Sequence, residues 1–362
     1  MRRAPLILLL LMSCRTRGLP PASPSPGEDR GAEVVWSGEV GERVALPPAL
    51  SDGGVAVVIT ASGKVLSVDV AGRLRPLYDL GEPPTAGPVL SGDTLIVGTF
   101  YGNLYFLDLT GSLLFKDSLG TPIRGIAVGG GIFAVGEDGK VVRYAGTSRR
   151  WVRYVGDNVL VPPSITPRGD VVVATISGDI IAYDTAGVIA WMLENVGTAP
   201  SSPSVRDSVV AVGFPDGRLL LLTPSGYRYV HVFSGITGEV SLSDSGAVLS
   251  TYGGSALRVV GDSILWETPV CSTWVATSPV SFKAFIVAVC GDGTLSLLSY
   301  DGKVLDSLHL KGDGWMEPLP FGGGLLIVSG DGRVYYVALP GTLLPGWPLY
   351  RGTPRRSGSP YG

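Results

Sequence analysis

Two histidines, three cysteines and a recurring Asp-Gly pair are the residues from which this 362-residue chain could build chemistry. His231 and His309 lie 78 residues apart in strand-like runs, with no Ser or Cys motif beside either. A zinc site needs several closely spaced ligands, and a nucleophilic triad needs a base beside its nucleophile. Neither pattern is present, so two strand histidines are expected, with no catalytic and no metal-binding residues. The Asp-Gly pairs at 138–139, 216–217, 292–293 and 331–332 lack the alternating oxygen ligands and terminal Glu of a calcium loop. They read as turn chemistry. Arg351, Arg355 and Arg356 form a small basic cluster near the end of the chain. A solvated tail is expected there, with contact to anionic lipid or an acidic partner as the sharper reading.

The elements that must position these residues come from a repeat. Glycines at 63, 102, 139, 178, 217, 254, 293 and 332 recur at spacings of 39, 37, 39, 39, 37, 39 and 39. Periods of this length mark propellers or solenoids. Gly63, Gly102, Gly139, Gly178, Gly217, Gly254, Gly293 and Gly332 each fall between two apolar runs. A two-residue type I′ turn needs positive φ at both central residues, which Gly accepts without steric cost. Type I′ hairpins are therefore expected at these eight glycines. A second glycine follows nine residues later in six units, at Gly72, Gly111, Gly187, Gly226, Gly302 and Gly341, and marks a second hairpin. Pro-bearing connections such as "GPV" (87–89) and "SPV" (278–280) supply a third turn. Each unit is thus a meander of four short strands. The positions two and five residues after each anchor glycine are apolar in all eight units, and those between are often apolar as well. Strands buried on both faces lose the alternation of apolar and polar residues. Sheets stacked face to face around an axis provide that environment, so an all-β, eight-bladed propeller of four-stranded antiparallel blades is expected over residues 33–345. The outer strands of units carry Trp, as in "GVIAW" (187–191) and "DSILW" (262–266), and so does "AEVVWSGEV" (32–40). That N-terminal segment is expected to close the ring as the outer strand of the last blade.

Composition narrows the partners. The chain is 45% hydrophobic and 16% charged, with a net charge of -3 and no long basic run. It can fill a large core, and nucleic acid is not an expected partner. Residues 1–13 read as a secretory signal, with Arg2 and Arg3 before the apolar "PLILLLLM" (5–12), a run too short to cross a bilayer as a helix. The following "LMSC" (11–14) resembles the bacterial lipobox, which implies lipidation of Cys14 and attachment to a membrane through that lipid. The alternative is an ordinary signal peptide with an incidental Cys14. Residues 15–32 are rich in Pro, Ser, Gly and charge, and with Cys14 they form an expected tether over 14–32. Residues 346–362 form a C-terminal tail.

In a four-stranded meander, the link into a blade and its second-to-third strand turn share one face. Cys271 falls in the link into the seventh blade and Cys290 ends that blade's second strand. An exported protein can oxidise such a pair, so a disulfide or two buried thiols are the alternatives.

The pattern Asp-Gly, apolar strand, Asp, two residues, Gly, then Trp resembles the PQQ (pyrroloquinoline quinone) repeat, most closely in "SGDIIAYDTAGVIAW" (177–191). Asp69, Asp108 and Asp184 match the repeat's Asp, for which turn capping is expected. "GWPLYRGTPRRSGSP" (346–360) looks like a segment flanking many such propellers. In layout the chain is similar to the propeller lipoprotein of the outer-membrane β-barrel assembly machinery. The resemblance implies a non-catalytic, envelope-anchored scaffold binding protein partners, on the periplasmic face of the outer membrane or the cell surface. It also implies that no cofactor is needed. Two alternatives stay open: a PQQ-dependent dehydrogenase with a degenerate site, and a glycan- or peptide-binding propeller. With 7 Trp and no adjacent cysteines, the dehydrogenase branch's cofactor residues cannot be carried over to this chain.

Overall fold

The computed structural model describes residues 31–243, 246–282 and 285–339. The expected signal peptide, Cys14, most of the tether, Gly341, the tail and its arginines lie outside the described residues. All regular elements described are β-strands, grouped into eight four-stranded antiparallel sheets. Blades 1–7 are consecutive meanders at 44–79, 84–118, 123–154, 164–193, 204–231, 236–269 and 280–309. Blade 8 takes three strands from 319–338 and its outer strand from Glu33–Glu39, paired with Arg333–Ala338. The N-terminal strand therefore closes the ring, as its Trp predicts. The backbone N–H of Ala32 donates to Asp306 Oδ2 of blade 7 at 2.8 Å and fixes where the chain enters.

Burial explains why the repeat folds this way. The second and third strands are covered on both faces, as in Ala56–Thr60 and Ile180–Tyr183, while outer strands such as Leu113–Ser118 alternate. The apolar clusters lie between blades rather than within one centre. Ile96, Phe106 and Leu104 of blade 2 pack with Ile126, Val142 and Tyr144 of blade 3. Val44, Val58 and Val68 of blade 1 pack with Leu326, Val328 and Val334 of blade 8. Each fully buried side chain of this size contributes roughly 1.5–3 kcal/mol, so a single blade cannot stand without its neighbours.

Strand direction alternates, which sorts the loops onto two faces. The links between blades and the second-to-third turns share one, here termed the upper face. The remaining turns lie on the lower face.

The anchor-glycine turns differ from the type I′ expectation. All eight glycines have φ between 79° and 99°, but the residue before each does not have positive φ. Each glycine N–H bonds the carbonyl three residues back, as from Gly63 to Thr60 and from Gly178 to Thr175 at 3.1 Å. This is a three-residue loop with the glycine at the left-handed bulge position. Side-chain capping selects it. Thr60, Thr99, Thr175, Thr251 and Ser329 accept the N–H of the residue following the glycine. In blades 3, 5 and 7 the Asp of the Asp-Gly pair accepts that N–H instead, at Asp138, Asp216 and Asp292.

Tryptophans also rivet neighbouring blades. The rings of Trp36, Trp151 and Trp266 cover Gly72, Gly187 and Gly302 of the next blade, where a Cβ would lie within about 3.0 Å of the indole. Their Nε1–H groups donate to the carbonyls of Val70, Thr185 and Tyr300 at 3.0, 3.1 and 2.9 Å. Blade 5 has the equivalent glycine, Gly226, but nothing lies within 4 Å of where its Cβ would sit, so Trp191 does not cover it.

Candidate functional site

The residues singled out for chemistry are not brought together. His231 ends the outer strand of blade 5 opposite Arg218, and His309 ends that of blade 7 opposite Thr294. Asp69, Asp108 and Asp184 cap their own turns. Asp184 Oδ1, for example, accepts the N–H groups of Ala186 and Val188 at 2.8 Å each. The Thr110 hydroxyl, then the Ser112 backbone N–H, hold the Asp108 carboxyl below its ordinary range. Among the described residues no group of three or more His, Cys, Asp or Glu could hold a metal ion. Cys271 and Cys290 are joined across the upper face, with Cα atoms 5.5 Å apart.

The space near the ring axis does not suit PQQ. About 370 Å³ is bounded by the first strands of blades 1–3 and Pro162, with Leu46, Pro47, Pro88 and Ile126 in its wall. A tricarboxylate quinone requires cationic partners and a calcium ligand set. The one cation lining this space, Arg124, is already engaged by Glu137, with Nε 2.8 Å from Oε2. The residues present do not fit the cofactor.

A different site emerges on the upper face of blade 4, where links 155–163 and 194–203 flank the turn at Gly178. Leu160, Val161, Ala174, Thr175, Ile176, Ala199 and Pro200 line an apolar groove of about 420 Å³. Leu160 and Ile176 are 48% and 37% exposed, so the groove faces solvent. Its only side-chain polar group, the Thr175 hydroxyl, is occupied by the Asp179 N–H at 3.0 Å.

Backbone hydrogen bonds fix the groove. The Ile176 N–H donates to the Asn158 carbonyl in one link, and the Ala199 N–H of the other link donates to the Ile176 carbonyl, both at 2.9 Å. Ile176 is thus held between the two links by its own peptide groups. Asp157 steadies the first link by accepting the Ser177 hydroxyl at 2.7 Å and its N–H at 3.0 Å. The Ser177 hydroxyl, then its backbone N–H, lower the Asp157 pKa.

The second link carries strain. Among the described residues, the non-glycine residues with positive φ are Asn195 at 54°, Ala199 at 48° and Asp207 at 50°. Asn195 and Ala199 lie in this link, and Asp207 lies in the first turn of blade 5. A left-handed Ala costs of order 1–2 kcal/mol, and such residues cluster at functional surfaces. An open apolar groove without directional polar groups accepts apolar side chains of a protein better than a sugar or a charged cofactor.

Sequence reasoning singled out none of Leu160, Ile176 and Ala199. The available signal was link length: blade 4 has a long link on each side, whereas residues 80–83 and 119–122 connect their blades in four residues.

Comparison with known proteins agrees with the ring. The PQQ_2 family model, described as Outer membrane protein assembly factor BamB, matches residues 52–256. Over 320 residues the chain is 26% identical to the outer membrane protein assembly factor BamB of Burkholderia pseudomallei (strain K96243), covering 74% of this chain and 79% of that protein. The crystal structure of BamB from Moraxella catarrhalis superposes with a TM-score of 0.73 at 19% identity, covering 85% of this chain and all of that one, 100%. The computationally designed Ika8 protein superposes with a TM-score of 0.74 at 16% identity, covering 83% and 98%. At these identities the structural likeness shows the fold. The match to the family over more than half its length shows that this chain belongs to the PQQ_2 family, described as outer membrane protein assembly factor BamB.

Proposed function

We propose that this chain is a non-catalytic propeller scaffold of the bacterial cell envelope, lipid-anchored through Cys14, which serves outer membrane protein assembly by docking a protein partner in the blade 4 groove. The observation that carries this reading is the coincidence of three features at one place: exposed apolar side chains, no free side-chain polar group, and a link held in left-handed conformations. Family membership and the names of its relatives support assembly as the setting. The 18 residues from Cys14 to Gly31 could reach at most roughly 60 Å when extended, enough to hold the ring clear of a membrane surface.

A photo-crosslinking residue at Leu160 or Ile176, introduced into the full chain in cells, tests the reading. One discrete product with a component of the outer-membrane assembly apparatus is expected, absent when the same residue replaces Val304 on the blade 7 edge. Equal crosslinking from both positions, or none from the groove, would count against it. Metabolic labelling with an alkyne fatty acid should mark the wild-type chain and not Cys14→Ser. Reconstitution with PQQ and Ca²⁺ should yield no dye-reducing activity, and glycan arrays should show no binding. A positive result in either assay would favour that alternative.

A further inference from the structure

The eight outer strands present unpaired backbone edges to solvent, and seven of them are guarded. Natural sheets discourage edge pairing with charge or proline. Leu74–Asp79 carries Arg75, Pro76 and Asp79, and Leu113–Ser118 carries Lys116 and Asp117. Ser148–Tyr154 and Gly226–His231 carry arginines, Ser263–Pro269 a Glu and a Pro, Val304–His309 an Asp, and Glu33–Glu39 two Glu. The outer strand of blade 4, Ile189–Leu193, has neither a charge nor a proline. Ile189 and Met192 on it are 51% and 42% exposed, and Val188 just before it is 60% exposed. Trp191 of this strand does not cover the equivalent glycine of blade 5, Gly226, and packs instead on the apolar cluster that blades 4 and 5 share.

We infer that Ile189–Leu193 is a strand-addition site: an extended segment of a partner polypeptide, with neutral apolar side chains at alternate positions, pairs with this edge. The inference rests on the proposed docking role and specifies how the partner is held. The edge itself dictates the occupant, because a row of backbone N–H and C=O groups is satisfied in full only by another extended backbone. Continuity supports it, since the strand ends at Leu193 and the next residues, 194–200, include the Ala199 and Pro200 that line the groove. A partner strand can therefore run along the edge and place its end in the groove. A second copy of this chain is a poorer occupant. Two convex rings meeting along five residues would bury far less than the ~1,200 Å² of a stable interface.

The test uses the full chain and a twelve-residue peptide of alternating valine and threonine, bearing a polyethylene glycol tail and a fluorophore. Saturable binding by anisotropy is expected. It should weaken at least about tenfold in Ile189→Lys and in Met192→Lys, where a charge now guards the edge. Leu305→Lys, on an edge already guarded by Asp306, should leave it unchanged. Amide exchange should slow over 189–193 when the peptide binds. No binding, equal binding by all variants, or protection of another outer strand would overturn the inference. A wild-type dimer in sedimentation that Met192→Lys disperses would assign the edge to a second copy and also overturn it. The two readings fail separately: loss of the Leu160 and Ile176 crosslinks with peptide binding intact removes the docking role alone, and the reverse removes only strand addition.

Discussion

Blades 4 and 7 each have a long link on both sides, 155–163 and 194–203 for one, 270–279 and 310–318 for the other. In both, the first strand shrinks to two residues, Ser164–Ile165 and Val280–Ser281. They then diverge. Around blade 7 the links are plugged and locked. Trp315 is 6% exposed and lies against Gly293, where a Cβ would sit 2.8 Å from its ring, and the Cys271–Cys290 bridge ties the incoming link to the second strand. Around blade 4 the links bury Val159 and Val196 but no aromatic side chain, no bridge forms, and backbone hydrogen bonds with left-handed residues hold an open groove. Link length alone does not make a site. What decides is whether the link fills the space above its blade or leaves it to another molecule.

Substitutions can break or sharpen that contrast. The largest effect is expected for Gly178→Val. The residue has φ 99°, and a side chain there would overlap the Gly197 carbonyl of the outgoing link. Denaturant unfolding should show a loss of roughly 5 kcal/mol or more. Trp315→Ala should cost about 3–5 kcal/mol and convert blade 7 into an open groove that binds an environment-sensitive apolar dye. No gain in dye binding would contradict the idea that Trp315 is the plug. Replacing Cys271 and Cys290 together with Ser should cost about 3 kcal/mol, from the chain freedom restored to the unfolded state. Non-reducing mass mapping of exported protein should find the two bonded, and free thiols would contradict the lock. Ala199→Gly should stabilise by about 0.5–1 kcal/mol, since relief of the left-handed penalty exceeds the entropy cost of glycine. A destabilised variant would show that the strain is not there.

The smallest effect is a dependence on acid. Asp157 is held below the ordinary Asp value, chiefly by the Ser177 hydroxyl. A carboxyl with a lowered folded pKa contributes stability above its unfolded value, about 3.9, and loses it as pH falls through the folded value. Below about pH 4 the Ile176 amide should therefore exchange faster, and Asp157→Asn should flatten that dependence. In blade 7 the Asp292 carboxyl is also lowered, chiefly by the Thr294 N–H. There the disulfide keeps the link in place, so the Gly291 amide, bonded to the Trp274 carbonyl at 3.0 Å, should stay slow.

The ring was legible in the sequence because its cause repeats. Glycine every 37 to 39 residues and strands apolar on both faces leave stacked blades as the solution, and Trp36 marks the closing strand. The turn type was misread for a local reason. Asp-Gly suits a type I′ turn, but here Asp138, Asp216 and Asp292 use their carboxylates to cap the N–H beyond the glycine, as Thr and Ser do in other blades. The groove escaped notice because it does not repeat. It depends on the Ala199 backbone and on which way Leu160 points, and neither leaves a motif. The Trp–Gly rivets were half visible: the tryptophans stood out, while the glycines they cover read only as turn formers.

The most direct test is amide hydrogen exchange of the full chain, free and in the complex purified from crosslinked envelopes. The account predicts slowed exchange over 158–163, 174–178 and 189–200, around the open blade. Protection over 270–279 and 310–318 instead, with blade 4 unchanged, would contradict it.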